Sequence, residues 1–402
     1  MFKNKILVVS EIFYPEGGGA EYATYLILKL LAEAGFRITM VTGTKKPAHI
    51  EGVRYYVTDL LGNWNRVKRF MYVSMLSRQR WFLKLLRDHD IFYIPLMAYP
   101  LISLAKKYGL KTIVHIHNYV PVRYHGVKYY FEKDVLGVLE GMKMGVFHEV
   151  YVHNSVARTL ALPISYAVFM LSREWIKDAD KLICVSRRQA QIIAKNLPDV
   201  TKNIRVIYNP LPEISNVEKR LDEGPTFLYV GGGSYIKGYH ILVKMLKMLG
   251  ERNAFKAKFM LTNIYSKRQQ EELTKLKKKY RIDIEILGRI SYEELLKAYS
   301  KAWALLFPSI WEEPLPYAII ESMLLKTIPI APRAGGIPEI VNGTKAESFL
   351  FEPGNLNSFA DALKRIAEMD SPELIEIGEE IRYHIIKKFS NTKNELLEIF
   401  DL

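Results

Sequence analysis

Two carboxylates stand eight residues apart, Glu313 and Glu321, in the stretch Pro308-Ser309-Ile310-Trp311-Glu312-Glu313-Pro314-Leu315-Pro316-Tyr317-Ala318-Ile319-Ile320-Glu321. Pro316 fits the first position of a helix that carries Ile319, Ile320, Met323 and Leu324 on its buried side. Carboxylates accept hydrogen bonds from hydroxyls, and a helix N-terminus offers unsatisfied N–H groups to an anion. Together they suit a ligand with both hydroxyls and phosphates. Spacing alone is equally satisfied by a solvated Glu313 and a Glu321 that complements the helix dipole.

Other clusters fall at comparable places. In Gly231-Gly232-Gly233-Ser234-Tyr235-Ile236-Lys237-Gly238, Lys237 precedes a helix and is either a point charge for a phosphate or a surface lysine. Gly17-Gly18-Gly19-Ala20-Glu21 lets backbone approach a ligand, or simply permits a tight turn. It is not a GxGxxG, because Tyr22 takes the third glycine's place, and no Gly-Lys-Ser/Thr follows. His115 and His117 alternate onto one face at the end of a strand, suited to a sugar hydroxyl or a structural bond. A metal pair would need a third ligand. Gly335-Gly336-Ile337-Pro338-Glu339 makes one more turn against which a ligand could lie.

The elements that position these groups are alternating strands and helices. Strands are expected at 5–10, 36–41, 91–94, 112–116, 181–185 and 204–207. After a charged linker over 209–226 they resume at 227–230, 255–261, 282–287, 303–307 and 328–331. Helices separate them, and each half opens as strand, glycine turn, helix. That is the pattern of doubly wound parallel sheets, whose ligands bind beyond the carboxyl ends of strands.

Composition narrows the class. The 402 residues are 49% hydrophobic and 25% charged, sufficient for two globular domains. The lone cysteine, Cys184, excludes an internal disulfide and fits a reducing compartment. No apolar stretch is long enough for a signal peptide or membrane span, so the expectation is cytoplasmic, either soluble or peripheral. A net charge of +14 favours anionic partners. Residues 63–87 are basic and aromatic, with Trp64, Arg66, Lys68, Arg69, Phe70, Arg80 and Trp81 among them. They suit an anionic membrane carrying a lipid-linked acceptor, or an ordinary solvated helix.

At this point the motifs resemble the retaining nucleotide-sugar glycosyltransferases of family 4, with the two-domain GT-B fold. Gly17–Glu21 is similar to the family's N-terminal glycine loop, Gly231 to Gly238 to its Gly-Arg…Lys-Gly turn, and Leu287-Gly288-Arg289-Ile290-Ser291 to its base loop. Glu313 and Glu321 match its two spaced glutamates. The resemblance implies two tandem Rossmann-like domains facing a cleft: 1–210 for the acceptor, 211–385 for the donor, and a C-terminal helix over 386–402 returning to the first. It implies that Glu313 binds hydroxyls of the donor sugar and Glu321 the ribose. Lys237, the Gly231 turn and the amides of Leu315, Tyr317 and Ala318 would hold the diphosphate. The backbone of Gly288, Arg289 and Ile290 would meet the base. Gly18 and Gly19 would close on the donor, and His117 would sit near the reacting sugar, so that Glu313, His117 and Lys237 form the catalytic set.

The expected activity is transfer of a sugar from a UDP-, GDP- or ADP-sugar to a sugar or glycolipid acceptor, with retained configuration. No cofactor and no metal are expected, because Lys237 and helix N-termini can neutralise the diphosphate and no Asp-x-Asp site is evident. Two departures stand out. Gly232 occupies the place of the family's arginine, so that either Lys237 serves alone or another cation such as Arg289, Arg333 or Lys326 reaches in, and Gly232→Arg is expected to raise activity; Pro316 stands where glycine is common. A sugar phosphorylase or nucleotide-sugar epimerase would share the fold. A nucleic-acid binder would explain the charge but not the glycine turns.

Overall fold

The computed structural model describes residues 4–401 apart from 64, 215, 216, 222, 223 and 253, so Trp64 lies outside the described residues. The chain divides into two units. The first comprises Met1–Lys128, Glu132–Pro210 and Ser390–Leu402; the second comprises Tyr129–Phe131 and Leu211–Phe389. The return to the first unit therefore starts at Ser390 rather than 386, and three residues of the first half belong to the second unit.

In the first unit seven strands form one parallel sheet: β1 (Lys5–Ser10), β2 (Arg37–Thr42), β3 (Val53–Val57), β4 (Ile91–Ile94), β5 (Lys111–Ile116), β6 (Lys181–Cys184) and β7 (Ile204–Val206). Their order is β3-β2-β1-β4-β5-β6-β7. Strands covered on both faces read as continuous apolar runs, which is why KILVVS and IFYI are legible. The edge strand β3 was not expected: VRYYV places only its first residue in the interior and carries an arginine. Ile6, Val8, Ile27, Leu31, Ile91 and Ile113 build the core. The C-terminal helix Thr392–Phe400 adds Leu396, Ile399 and Phe400 to it.

The second unit is a five-stranded parallel sheet of β8 (Thr226–Tyr229), β9 (Lys258–Thr262), β10 (Asp283–Gly288), β11 (Ala304–Leu306) and β12 (Ile328–Ile330). Its order is β10-β9-β8-β11-β12. The strand order reverses between β8 and β11, as it does between β1 and β4 in the first unit. Loops diverge at such a point and leave a crevice at the carboxyl ends of the two strands. The expected linker is not wholly solvated. Lys219 is half-buried, donates to the Tyr299 carbonyl at 3.2 Å and to Thr327 Oγ1 at 2.7 Å, and desolvation of the ammonium pushes its pKa down.

Candidate active site

The switch point of the second unit is where Lys237 and Glu313 meet. Lys237 ends the loop after β8, Glu313 lies in the loop after β11, and the lysine Nζ donates to Glu313 Oε1 at 2.8 Å. The Glu313 side chain is buried, while that of Lys237 remains about one-third exposed at 32%. The ammonium also lies 5.2 Å from the Trp311 ring centroid and 5.7 Å from that of Phe307. Aromatic faces attract a cation, so two rings and a carboxylate hold Lys237 in place.

Glycines bring the loops this close. Gly238 has φ +81°, and a Cβ there would sit 1.8 Å from the Pro308 carbonyl oxygen. Gly335 has φ +61°, and its Cβ would fall 2.4 Å from the Glu313 oxygen, while the Gly336 N–H donates to that oxygen at 2.9 Å. The turn after β12 thus packs against the Glu313 peptide itself, which is what lies on those glycines rather than a ligand. The segment Tyr129–Phe131 clamps the same loop: Tyr129 bridges Trp311, and the Tyr130 N–H donates to the Ile310 carbonyl at 3.1 Å.

Glu321 sits in the helix Tyr317–Leu324, buried on its inner side. Pro316 stands one place earlier than expected, as the extended residue before the helix, with φ −75° and ψ 117°. Its ring needs no N–H partner there and leaves the first turn to the N–H groups of Tyr317 and Ala318, with Leu315 standing before the cap. Tyr292 donates to Glu321 Oε1 at 3.0 Å. Burial pushes the Glu321 carboxyl up to about 7, against the lowering effect of that bond. Tyr292 opens the helix after Gly288, Arg289 and Ile290, so this hydrogen bond joins the expected base loop to the expected ribose carboxylate. Gly288 has φ +70° with open space around its would-be Cβ.

Gly231 and Gly232 turn the chain out of β8. At Gly232 φ is +57°, and a Cβ would lie 3.0 Å from the Ile264 carbonyl oxygen. An arginine there would be strained by the backbone itself, which counts against the expectation that Gly232→Arg raises activity. Of the cations expected to compensate, Arg333 faces Glu347 and Glu352 at 3.6 and 3.7 Å. Lys326 follows the far end of the Glu321 helix and pairs with Glu379. Arg289 is exposed beside Gly288.

The first unit holds the remaining expected residues. Gly18 precedes the helix Gly19–Glu33, and its N–H donates to the Glu21 carboxylate at 2.7 Å. Gly18 and Gly19 are exposed. His117 follows β5, its ring stacked on that of His115 at 4.2 Å, as period-two alternation requires. Burial pushes the His117 imidazole down to about 3, and its Nε2 has no hydrogen-bond partner. His115 accepts from or donates to the Tyr93 hydroxyl through Nδ1 at 2.9 Å. Among the described residues no three His, Cys, Asp or Glu side chains could hold a metal together. Two Asp-x-Asp tripeptides do occur, Asp88-His89-Asp90 and Asp178-Ala179-Asp180, at the leading ends of β4 and β6. Asp90 accepts from the Lys5 N–H and Asp180 from that of Thr112, each at 2.8 Å, so both lock strands at the edge opposite the turns.

Sequence reasoning missed Tyr292, Trp311 and Glu11. The last follows β1, is fully buried and accepts from the Met97 N–H at 3.3 Å. A glutamate directly after an apolar strand was its only signal.

The comparisons fit this geometry. The family described as "Glycosyltransferase Family 4" matches residues 17–212, and "Glycosyl transferases group 1" matches residues 212–383. Between them they span both units. The chain belongs to the family 4 glycosyltransferases, with the GT-B fold. The O-antigen chain mannosyltransferase RfbU of Salmonella typhimurium is 27% identical over 205 residues, 51% of this chain and 55% of that protein. The match thus spans about half the length of that curated relative. Among solved structures, sucrose-phosphate synthase from Thermosynechococcus elongatus superposes with a TM-score of 0.74 at 17% identity, covering 99% of this chain and 98% of that one. Anabaena Alr3699/HepE in complex with UDP-glucose gives 0.66 at 16% identity, covering 98% and 99%. WaaG, a glycosyltransferase involved in lipopolysaccharide biosynthesis, gives 0.67 at 12% identity, covering 98% and 99%. At these identities the three structures speak for the fold.

Proposed function

We propose that this protein transfers a sugar from a nucleoside diphosphate sugar to an acceptor hydroxyl, retaining configuration and without a metal. The observation that carries the reading is the Lys237–Glu313 pair at the switch point of the second sheet, with Glu321 buried in the adjoining helix. A diphosphate arriving there competes for the lysine. Lys237 turns its charge to the phosphate oxygens, and Glu313, relieved of its partner, accepts from hydroxyls of the sugar. Glu321 accepts from the ribose, and the amides at Leu315, Tyr317 and Ala318 face the phosphates. The base lies along Gly288–Ile290.

In the chemical step the anomeric carbon–oxygen bond to the diphosphate breaks and the acceptor oxygen bonds to the same face. The departing phosphate oxygen takes the acceptor proton, so no side chain must act as nucleophile. Lys237 stabilises the charge growing on the leaving group, an effect commonly worth several kcal/mol. His117, held neutral, donates or accepts one hydrogen bond near the reacting sugar. The UDP-glucose complex of a structural neighbour and the mannosyltransferase relative support a hexose donor. The latter's name also supports an acceptor of the polysaccharide or glycolipid class.

The test is a thermal-shift screen of UDP-, GDP- and ADP-sugars, followed by NMR of the product anomer with and without EDTA. A ligand at a hundred times its Kd adds about 2.7 kcal/mol. One donor is expected to raise Tm clearly and to give a retained anomer unaffected by EDTA. If all the sugars leave Tm unmoved, the reading fails.

A further inference from the structure

The first unit carries an apolar surface that the transfer reaction does not use. Residues 138–177 form a helical hairpin: helix Val138–Tyr151, a short 3-10 turn Ala157–Ala161 and helix Leu162–Lys177. Its inner side has a small core of its own, in which Leu162 and Phe169 pack on Tyr124 beside Tyr166. Glu149 ties the hairpin down, accepting from Tyr124 Oη at 2.5 Å and pairing with Arg158 at 2.9 Å. The outer side is left bare. Leu160 is 84% exposed, Leu139 75%, Val156 71%, Ile164 62% and Leu171 53%.

Leu160, Ile164 and Leu171 fall on one helical stripe, while Leu162, Phe169 and Ile176 fall on the opposite one. The segment is thus apolar around its whole circumference, and residues 159–172 carry no charge at all. A helix hydrophobic on every side belongs inside protein or inside lipid. Fourteen uncharged residues are too few to span a bilayer but of the length found in interfacial segments. Among the described residues no helix is long and apolar enough to cross a membrane.

Charge selects lipid as the occupant. Helix Arg66–Met75 packs alongside through Phe70, whose ring meets Trp175 at 5.4 Å, and it exposes Met71 and Lys68. Arg78 and Lys143 are exposed as well. The nearby acids are already engaged, Glu140 with Lys133 and Glu174 with Lys177. In residues 66–88 the large apolar groups Phe70, Val73, Leu76, Phe82, Leu85 and Leu86 point into the unit, and Met71 and Met75 are the large hydrophobics left exposed among the described residues. That segment therefore supplies charge, and the hairpin supplies the greasy surface. We propose that the hairpin lies in the headgroup layer of an anionic bilayer, with Leu139, Leu160, Ile164 and Leu171 at the acyl boundary and Lys68 and Lys143 against lipid phosphates.

The test needs no donor, so it stands or falls separately from the transfer reaction. The full chain is floated with phosphatidylcholine vesicles with and without phosphatidylglycerol, beside the variant L160S/I164S/L171S. Exposed positions of this kind tolerate polar residues, so the variant's Tm should match wild type. The wild type is expected to float with anionic vesicles at low salt, and the variant to partition roughly tenfold or more less well. Leu160→Cys labelled with an environment-sensitive dye should shift to the blue on those vesicles, while Glu271→Cys in the second unit should not. Equal flotation of variant and wild type overturns the proposal. So does absence of wild-type flotation, or a dimer in sedimentation that the triple substitution dissolves without any vesicle binding.

Discussion

Replacing Glu321 by glutamine should separate what this carboxylate costs the fold from what it gives the ligand. In the native protein burial raises its pKa from 4.5 to about 7. Below 4.5 the group is protonated in both folded and unfolded chains and costs nothing. As pH rises toward 7 the unfolded chain releases its proton while the native one keeps it, so native stability falls; above 7 the full cost persists. At 1.36 kcal/mol per pH unit, the interval comes to roughly 3 kcal/mol. Glutamine keeps an acceptor for the Tyr292 hydroxyl and never ionises. Glu321→Gln should therefore match wild type near pH 4.5 and gain up to roughly 3 kcal/mol above pH 7, or roughly 6–12 °C in the melting of the second unit. Donor binding should respond in the opposite sense. If ribose hydroxyls bind the ionised carboxylate, the wild-type donor Kd should tighten about tenfold per pH unit below 7 and then level off. The variant should bind weakly and without that slope. Calorimetric Tm and titration calorimetry across pH read both curves. If variant and wild type run parallel in both, the buried carboxylate has neither the cost nor the role assigned to it.

The remaining expectations concern the loops around it. Lys237→Ala removes the diphosphate cation and strands the buried Glu313, so kcat/KM should fall by about two orders of magnitude or more and urea stability by roughly 1–3 kcal/mol; the double variant with Glu313→Ala should recover part of the stability. Gly238→Ala places a methyl group on a backbone carbonyl at positive φ and should cost more than about 3 kcal/mol in urea unfolding, whereas Gly288→Ala, with space around it, should cost only about 1 kcal/mol. Gly232→Arg should lower Tm and bring no gain in kcat/KM, because a side chain at that positive φ is strained and its Cβ would press on the Ile264 carbonyl. With its imidazole pKa near 3, His117 stays neutral at working pH, so His117→Asn should lower kcat without removing either limb of the pH–rate profile.

The strands of both sheets were legible because parallel strands covered on two faces must be continuously apolar. β3 was not, since an edge strand with one interior residue leaves no such run. The glutamates and Lys237 were found from their places at strand-to-helix turns. What sequence could not show is that they bind one another: the 76 residues separating Lys237 from Glu313 are closed only by the β8–β11 pairing. Nor could it distinguish glycines that face open space, such as Gly288, from those that admit another loop's backbone, such as Gly238 and Gly335. Tyr292 escaped notice because a tyrosine in a first helical turn is ordinarily unremarkable. Which apolar face of the hairpin is buried depends on Tyr124, outside the hairpin itself, and periodicity alone does not reveal that contact.

The helix Thr392–Phe400 has a consequence for how the protein is made. Phe400 packs edge-on against Tyr93 at 5.1 Å, its carbonyl accepts from Asn4 Nδ2 at 3.1 Å, and the Ile399 carbonyl accepts from Lys111 Nζ at 3.1 Å. The seven-stranded sheet, although most of it is translated first, is thus closed by residues translated after the five-stranded unit. The five-stranded unit, whose chain ends at Phe389, can complete its own core earlier. During synthesis the first sheet must wait with the Ile27–Phe400 side of its interior uncovered, so nascent chains stalled before residue 390 should recruit chaperones through the N-terminal half, the reverse of the order in which the two halves emerge.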